Sequence, residues 1–370
     1  VTPPPHAQPP RPRPSPTVAG WLKADEYPEW DHFVARHPKG VLFHLSSWKQ
    51  VIEASFPHMR GQVAVVRAAD RGDILAGIPV YDVRSWLLGN RLVSIPFASL
   101  CDPLVQDRAH WDQLMPLIDA HRTAQGGVPF ECRTWQQPEA PPVRDAACPY
   151  ETSLHHWLDL SPGLDAAYSS FSRTAIRRMI SKSVKSGTVV RHATTEADVE
   201  EFYRLLIISR RRNGLPILPY PFFLSIWRIL PAAQRSFILA SRDGRTVAAI
   251  FSLGFGRTFT MEHSGEEDAI YGSGIVQHLV WESIRTAHAQ GCTCVSFGRT
   301  AVENTSLASY KLHWGTVQET LLTYWPGSPP IQRQAVATTS PTRRVIRWLS
   351  SYSPGPIYRA MSAFCYKHWG

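Results

Sequence analysis

Apolar positions along this chain recur with two periods, and the points where the period changes outline its elements. Trp30, Phe33 and Val34 share one face of a short helix, and Phe43 to Trp48 leads into a second helix carrying Val51 and Ile52. Gln62 to Arg67 alternates as a strand, Asp70-Arg71-Gly72-Asp73 turns the chain, and Ile74 to Val83 returns as its partner. Pro79 has no N–H for a ladder, so it predicts a bulge or an edge position in that return strand. Arg91 to Phe97 reads as a further strand and Trp111 to Ala124 as a helix.

The later half repeats this plan. Thr195-Glu196-Ala197-Asp198 resembles a capping box, and Val199, Phe202, Leu205 and Leu206 follow at helical spacing. Ser236 to Ser241, the turn Arg242-Asp243-Gly244-Arg245 and Thr246 to Phe255 predict a hairpin, which Arg257 to His263 continues. Gly274 to Gln290 is an amphipathic helix ended by Gly291, and Thr293 to Phe297 is a short apolar strand. The matching strand–turn–strand segments Val63–Val80 and Phe237–Ser252 favour a duplication. The expected architecture is two α/β units with antiparallel meanders, spanning 21–150 and 151–330 and joined near Cys148 to Leu160.

Composition adds limits. The chain has 370 residues, 44% of them hydrophobic, enough for two separate cores. No apolar run approaches the roughly 20 residues that cross a bilayer. Residues 1–20 are proline-dominated and lack the apolar stretch of a secretion signal, so they read as a disordered arm. Of six scattered cysteines only Cys292 and Cys294 are close, and no two further ligands complete a zinc site. Buried thiols in a cytoplasmic protein are expected, with no metal. The net charge of +9 favours an anionic partner: RNA, anionic lipid, or a phosphorylated ligand such as coenzyme A.

Candidate chemistry clusters late in the sequence. Tyr271-Gly272-Ser273-Gly274 opens a helix whose free N–H groups suit a phosphate or a developing oxyanion. Arg299 follows a buried strand, where ligand clefts of α/β folds form, and can clamp a phosphate or carboxylate; Lys311 offers a compact positive charge. Both also fit surface cations pairing with Glu303. Glu262 and Glu303 are candidate acceptors of an amine proton, Glu262 lying beside His263 at a cleft edge. His155 and His156 read as structural. Arg173, Arg177, Arg178 and Lys182 place cations on adjacent helical turns, which fits RNA phosphates as well as a solvated face. Residues 331–370 read as a basic, amphipathic tail, with Arg343 to Leu349 and then Tyr358, Phe364 and Trp369, suited either to an anionic membrane or to docking on its own domain. His-Glu-x-x-His, Gly-x-Ser-x-Gly and Walker motifs are all missing.

Several of these segments, taken in order, resemble one family. Ile74 to Val80 with Leu88 to Phe97, the helix Arg173-Thr174-Ala175-Ile176-Arg177-Arg178, and Phe297-Gly298-Arg299-Thr300 with Tyr310-Lys311 and Trp314-Gly315 are similar to the FemABX-like branch of the GNAT superfamily. The resemblance implies tandem GNAT-like domains, each a mixed, largely antiparallel sheet flanked by helices. It implies transfer of an acyl or aminoacyl group from acyl-CoA or aminoacyl-tRNA to an amine on a cell-wall, polysaccharide, peptide or lipid-linked precursor. No cofactor is tightly bound. Lys311 and Arg299 inherit the family's site cations, and Arg211 stands in its Arg-rich turn as a donor contact. Trp48, Asn304, Tyr310 and Trp314 are the candidates for the acceptor cleft. Ser296 replaces the family's aspartate, and Ala269-Ile270 lacks the leading Arg or Gln of an acetyl-CoA loop. A cytoplasmic monomer, peripheral at the inner face of the membrane through its tail, completes the expectation. The alternative from another class is a non-catalytic protein binding RNA, a glycan intermediate or a membrane surface.

Overall fold

A computed structural model of the chain describes residues 16–98, 100–135, 150–326 and 341–368. The first half holds β1 (Thr17–Trp21), α1 (Tyr27–Arg36), α2 (Ser46–Ser55), β2 (Met59–Ala68), β3 (Ile74–Val83), β4 (Arg91–Val93), α3 (Arg108–Ala124) and β5 (Phe130–Thr134). The second begins with β6 (Tyr150–Asp159), α4 (Leu164–Ser170), α5 (Arg178–Lys185) and β7 (Val189–His192). It continues through α6 (Glu196–Arg212), α7 (Tyr220–Ile229), β8 (Arg235–Arg242), β9 (Arg245–Phe255), β10 (Thr258–Glu266), α8 (Ile275–Ala289) and β11 (Cys294–Thr300). The chain then adds α9 (Thr305–Leu312), β12 (Val317–Tyr324), α10 (Pro341–Tyr352) and α11 (Gly355–His368).

Among the described residues, twelve strands join in one sheet ordered β1-β2-β3-β4-β5-β12-β6-β11-β10-β9-β8-β7. Each half contributes the same run. β1 to β4 and β7 to β10 pair antiparallel in sequence order. A helix, α3 or α8, then leads to a strand that returns parallel, β5 beside β4 and β11 beside β10. The sixth positions are exchanged: β12 completes the first run, β6 completes the second, and the two lie antiparallel against each other. β12, after the boundary expected at 150, thus pairs with β5 before it.

Three local expectations need correction. The proline-rich arm was drawn to residue 20, but Thr17–Trp21 pairs with Ala64 to Ala68 as β1; residues 1–15 lie outside the described ones. Pro79 lies in a central strand without a bulge beside it, because its nitrogen points where no ladder bond is needed. Gly77 N–H, two residues earlier and on the same edge, donates to Leu104, and β4 pairs only from Tyr81 onward. The strand from Arg91 stops at Val93, short of Phe97, which has a positive φ of 61° that extended backbone cannot continue.

The core is shared. Trp48 and Phe56, from α2 and the turn after it, meet Phe222 of α7 at ring distances of 5.9 and 5.7 Å. Full burial of such side chains is worth about 1.5–3 kcal/mol each, so this cluster ties the halves together. A second core lies under α4, α5 and α8, and a third under α3. The Thr195 capping box forms as expected, with Asp198 accepting from Thr194 and Thr195 N–H and from Arg191.

Candidate active site at a gap between parallel strands

β10 and β11 pair only at Thr258–Cys294, Phe259–Val295 and Thr260–Ser296. Beyond that point β10 stays with β9 and β11 stays with β6. Each strand bulges where they part, β10 between Met261 and His263 and β11 between Ser296 and Arg299. A bulge bends its strand, and Gly298 supplies the left-handed φ of 70° that the second bulge uses. The edge of Met261–Glu266 that faces β11 is left without a strand partner among the described residues. Because α8 links the end of β10 to the start of β11, its amino end lies toward this opening.

Lys311 closes one side. The Asn304 side chain accepts the Leu307 N–H at 3.2 Å and so starts α9. From the last turn of that helix, the Lys311 ammonium donates to the carbonyls of Gly298 at 2.9 Å and Arg299 at 3.3 Å. The side chain is buried, and loss of hydration pushes its pKa down to about 8. Arg299 itself is exposed at the end of β11, and Glu303 is exposed in the turn before α9. Tyr310 is half-buried; Trp314 is fully buried against Phe171 at 5.1 Å.

Ser296, where the family carries aspartate, is also fully buried. Its hydroxyl accepts the Gly298 N–H at 3.2 Å and lies 2.9 Å from Nε2 of His155. Burial, with Lys311 close by, pushes His155 down to about 3, so the ring is neutral and can accept the serine proton. One hydroxyl thus links the β11 bulge to β6.

Glu262 stands at the β10 bulge across the gap, partly open to solvent. Desolvation alone pushes its carboxyl up to about 7, the range in which a carboxylate works as a general base. The adjacent His263 is driven down to about 3, first by burial and then by the charge of Arg210.

The glycine-led loop behaves differently from expectation. Gly272 and Gly274 do use left-handed φ values of 72° and 87°, but Tyr271 points to solvent, 88% exposed. A β-carbon on Gly274 would lie 2.0 Å from the Met179 carbonyl oxygen, and Lys182 donates to the Gly272 carbonyl at 2.8 Å. The loop is therefore packed on α5, and Lys182 holds it. Among the described residues no hydrogen bond joins this loop to Lys311, whereas Arg299 and Lys311 are brought together.

Four further candidates have structural partners. Arg211 donates to the Ser353 carbonyl and lies 5.3 Å over the ring of Tyr358, so it ties α6 to the tail helices. Trp48, 2% exposed, belongs to the inter-half core, and Trp314 to the core beneath α4. Asn304 serves as the helix cap described above. Of the proposed RNA-facing cations, Arg173 and Arg178 are exposed and Arg177 is half-buried, around a π-helical turn at Arg173–Arg177.

The sequence reading missed a cavity of about 310 Å³ between the halves. Trp157 and Cys294 from the sheet, Trp135, Lys39 and Asp102 from the first half, and Arg257 line it. Its lining reaches the buried hydroxyl network, since Trp135 lies 4.5 Å from the His155 ring. These residues come from segments far apart in the chain, so no local spacing marks them. Among the described residues, no group of three or more His, Cys, Asp or Glu could hold a metal ion, and no helix is long and apolar enough to cross a membrane.

Residues 170–312, which include every element around the gap except β6, match the family model described as an acetyltransferase (GNAT) domain. The whole fold is similar to the crystal structure of FemX, with a TM-score of 0.68 at 12% identity, covering 82% of this chain and 96% of that one. A conserved protein of unknown function from Bacteroides thetaiotaomicron VPI-5482 follows at a TM-score of 0.53 and 10% identity, covering 82% and 98%. The C-terminal domain of a putative lysylphosphatidylglycerol synthetase from Agrobacterium fabrum has a TM-score of 0.51 at 13% identity, covering 82% and 93%. No curated protein matches the sequence. The chain thus carries a match to a GNAT acetyltransferase domain over residues 170–312, within a fold similar to that of FemX.

Proposed function

We propose that this acyltransferase moves an acyl or aminoacyl group onto an amine of a cell-wall, polysaccharide or natural-product precursor. The observation that carries the reading is the parting of β10 and β11, with Glu262 at the bulge of one strand and Lys311 hydrogen-bonded to the carbonyls at the bulge of the other. The donor carbonyl enters between β10 and β11, where strand backbone stands without a partner. The acceptor amine attacks that carbonyl carbon, and Glu262 takes the amine proton as the new C–N bond forms. An ammonium has three donors, and Lys311 uses two on carbonyls, which leaves one for an oxygen of the ligand. That contact strengthens as negative charge develops on the donor oxygen. Collapse of the tetrahedral species expels thiolate or the tRNA ribose oxygen as leaving group. Proximity supplies the remaining acceleration, with no covalent enzyme intermediate.

Of the two donor classes, aminoacyl-tRNA is favoured by one feature. The Met179 carbonyl packs on the loop that would seat a coenzyme A diphosphate, and Arg173, Arg178 and Lys185 stand exposed along the same helical segment. The test supplies acyl-CoA and aminoacyl-tRNA separately with a panel of amines and looks for an acylated acceptor by mass spectrometry. Product with either donor, lost in Lys311→Met and Glu262→Gln, supports the reading. Product that survives both substitutions removes this site, and transfer from acyl-CoA alone removes the donor preference.

A further inference from the structure

We propose that α11, α10 and the loop between β3 and β4 form one rigid docking surface for an anionic phospholipid bilayer. The proposal is independent of the acyl-transfer chemistry. It starts from side chains that have no reason to face water. In the β3–β4 loop, Trp86, Leu87 and Leu88 are 76%, 51% and 57% exposed. On α11 Ile357 and Phe364 are 53% and 45% exposed, with Ala360 and Ala363 exposed between them. Trp348 and Tyr352 of α10 are 61% and 74% exposed.

The first two groups are one patch, because Trp86 lies 6.3 Å from the Phe364 ring and 5.2 Å from the His368 ring. Their backbone is pinned. The buried Ser85 hydroxyl lies 2.9 Å from His368 Nδ1 and accepts the Leu88 N–H at 2.9 Å, and Arg91 donates to the His368 carbonyl at 3.0 Å. The opposite face of α11 is already used: Tyr358 is fully buried, its hydroxyl donates to the Leu215 carbonyl, and Ser362 accepts the Ile217 N–H. A helix that is apolar on both faces is normally covered on both. Nothing among the described residues covers the outer one.

Charge selects the partner. After Glu319 the sequence has no Asp or Glu through residue 370, but it has Arg333, Arg343, Arg344, Arg347, Arg359 and Lys367. Between Asp82 and Asp102 the only charges are Arg84 and Arg91. Arg84, Arg344, Arg347, Arg359 and Lys367 are exposed. Protein interfaces carry a mixed polar rim; apolar side chains with Trp and Tyr among cations of a single sign suit the headgroup level of an anionic membrane. Each cation near such a surface adds about 1 kcal/mol, screened by salt.

The test floats the full chain with vesicles of phosphatidylcholine alone or of equimolar phosphatidylcholine and phosphatidylglycerol. Binding to the second kind, weakened by salt, is expected. Trp86→Ala with Phe364→Ala lowers the bound fraction about tenfold or more, as the burial of two large rings requires. In the wild type, brominated phosphatidylglycerol quenches tryptophan fluorescence, a readout that does not depend on how well the variants fold. No flotation with phosphatidylglycerol, or flotation without quenching, overturns the proposal. So does sedimentation showing a dimer that the same two substitutions dissociate, because a second copy would then own the patch.

Discussion

Lys311 donates through Nζ to the carbonyl oxygen of Gly298 at 2.9 Å, tying the last turn of α9 to the bulge of β11. The bond fixes where the ammonium stands, and it stands buried with its pKa lowered to about 8. Replacing it by methionine keeps the shape and removes the charge. The shift from 10.5 to about 8 corresponds to roughly 3 kcal/mol of unfavourable charge burial. Two lost hydrogen bonds to carbonyls cost roughly 1.5–3 kcal/mol each, about 3–6 kcal/mol together. Lys311→Met is therefore expected to leave stability unchanged or lower it by up to about 3 kcal/mol in urea unfolding, while kcat falls about a hundredfold or more as an oxyanion contact is lost. Full turnover in a folded Lys311→Met protein would remove the lysine from the mechanism.

Two displaced pKa values predict a bell-shaped rate profile. Glu262 acts as a base only when deprotonated, so kcat/KM rises with pH through about 7; Lys311 acts only when protonated, so it falls above about 8. Glu262→Gln is expected to lower the rate and abolish the acidic limb. The same group also leaves a mark on stability. The unfolded chain loses this proton near 4.5 and the folded one near 7, so stability declines as pH rises across that window. Unfolding of Glu262→Gln should lack that decline; an unchanged slope would mean the carboxyl is not desolvated.

Neighbouring glycines should respond unequally to alanine. Both Gly272 and Gly274 have left-handed φ, which costs a side chain about 1–2 kcal/mol. At Gly272 the new carbon meets nothing within 4 Å, whereas at Gly274 it would sit 2.0 Å from the Met179 carbonyl. Gly272→Ala is expected to lose only the conformational amount, and Gly274→Ala clearly more, measured by urea denaturation. Equal losses would contradict the packing of α5 on the loop.

Arg211→Ala tests the reassignment of that residue. The side chain holds Ser353 and Tyr358, so its loss should speed proteolytic cutting of the tail while leaving the donor KM unchanged. A raised donor KM with an intact tail would restore Arg211 to the donor site.

Much of this was legible in the chain itself. The alternation of Gln62–Arg67, the strand reading of Ser236–Ser241, the Thr195 capping box and the glycine ending α8 are local signals, and the structure forms those elements where they were expected. Lys311 and Arg299 stand out in the sequence because both follow a buried strand, and the structure brings the Lys311 ammonium to the Arg299 carbonyl. The packing of Arg211 and Trp48 was not legible for one reason: their partners, Tyr358 and Phe222, lie more than a hundred residues away in sequence.

What the sequence by itself determined, then, are the elements, their duplicated order and the chemical types gathered at the ends of β10 and β11. Those depend on backbone propensity and apolar period, which act over a few residues. Only the tertiary structure decided that β12 and β6 exchange places, that two parallel strands part after three pairs, and that Glu262 and Lys311 lose enough water to shift their protons. Desolvation depends on what distant segments place around a side chain, and no neighbouring letter encodes it.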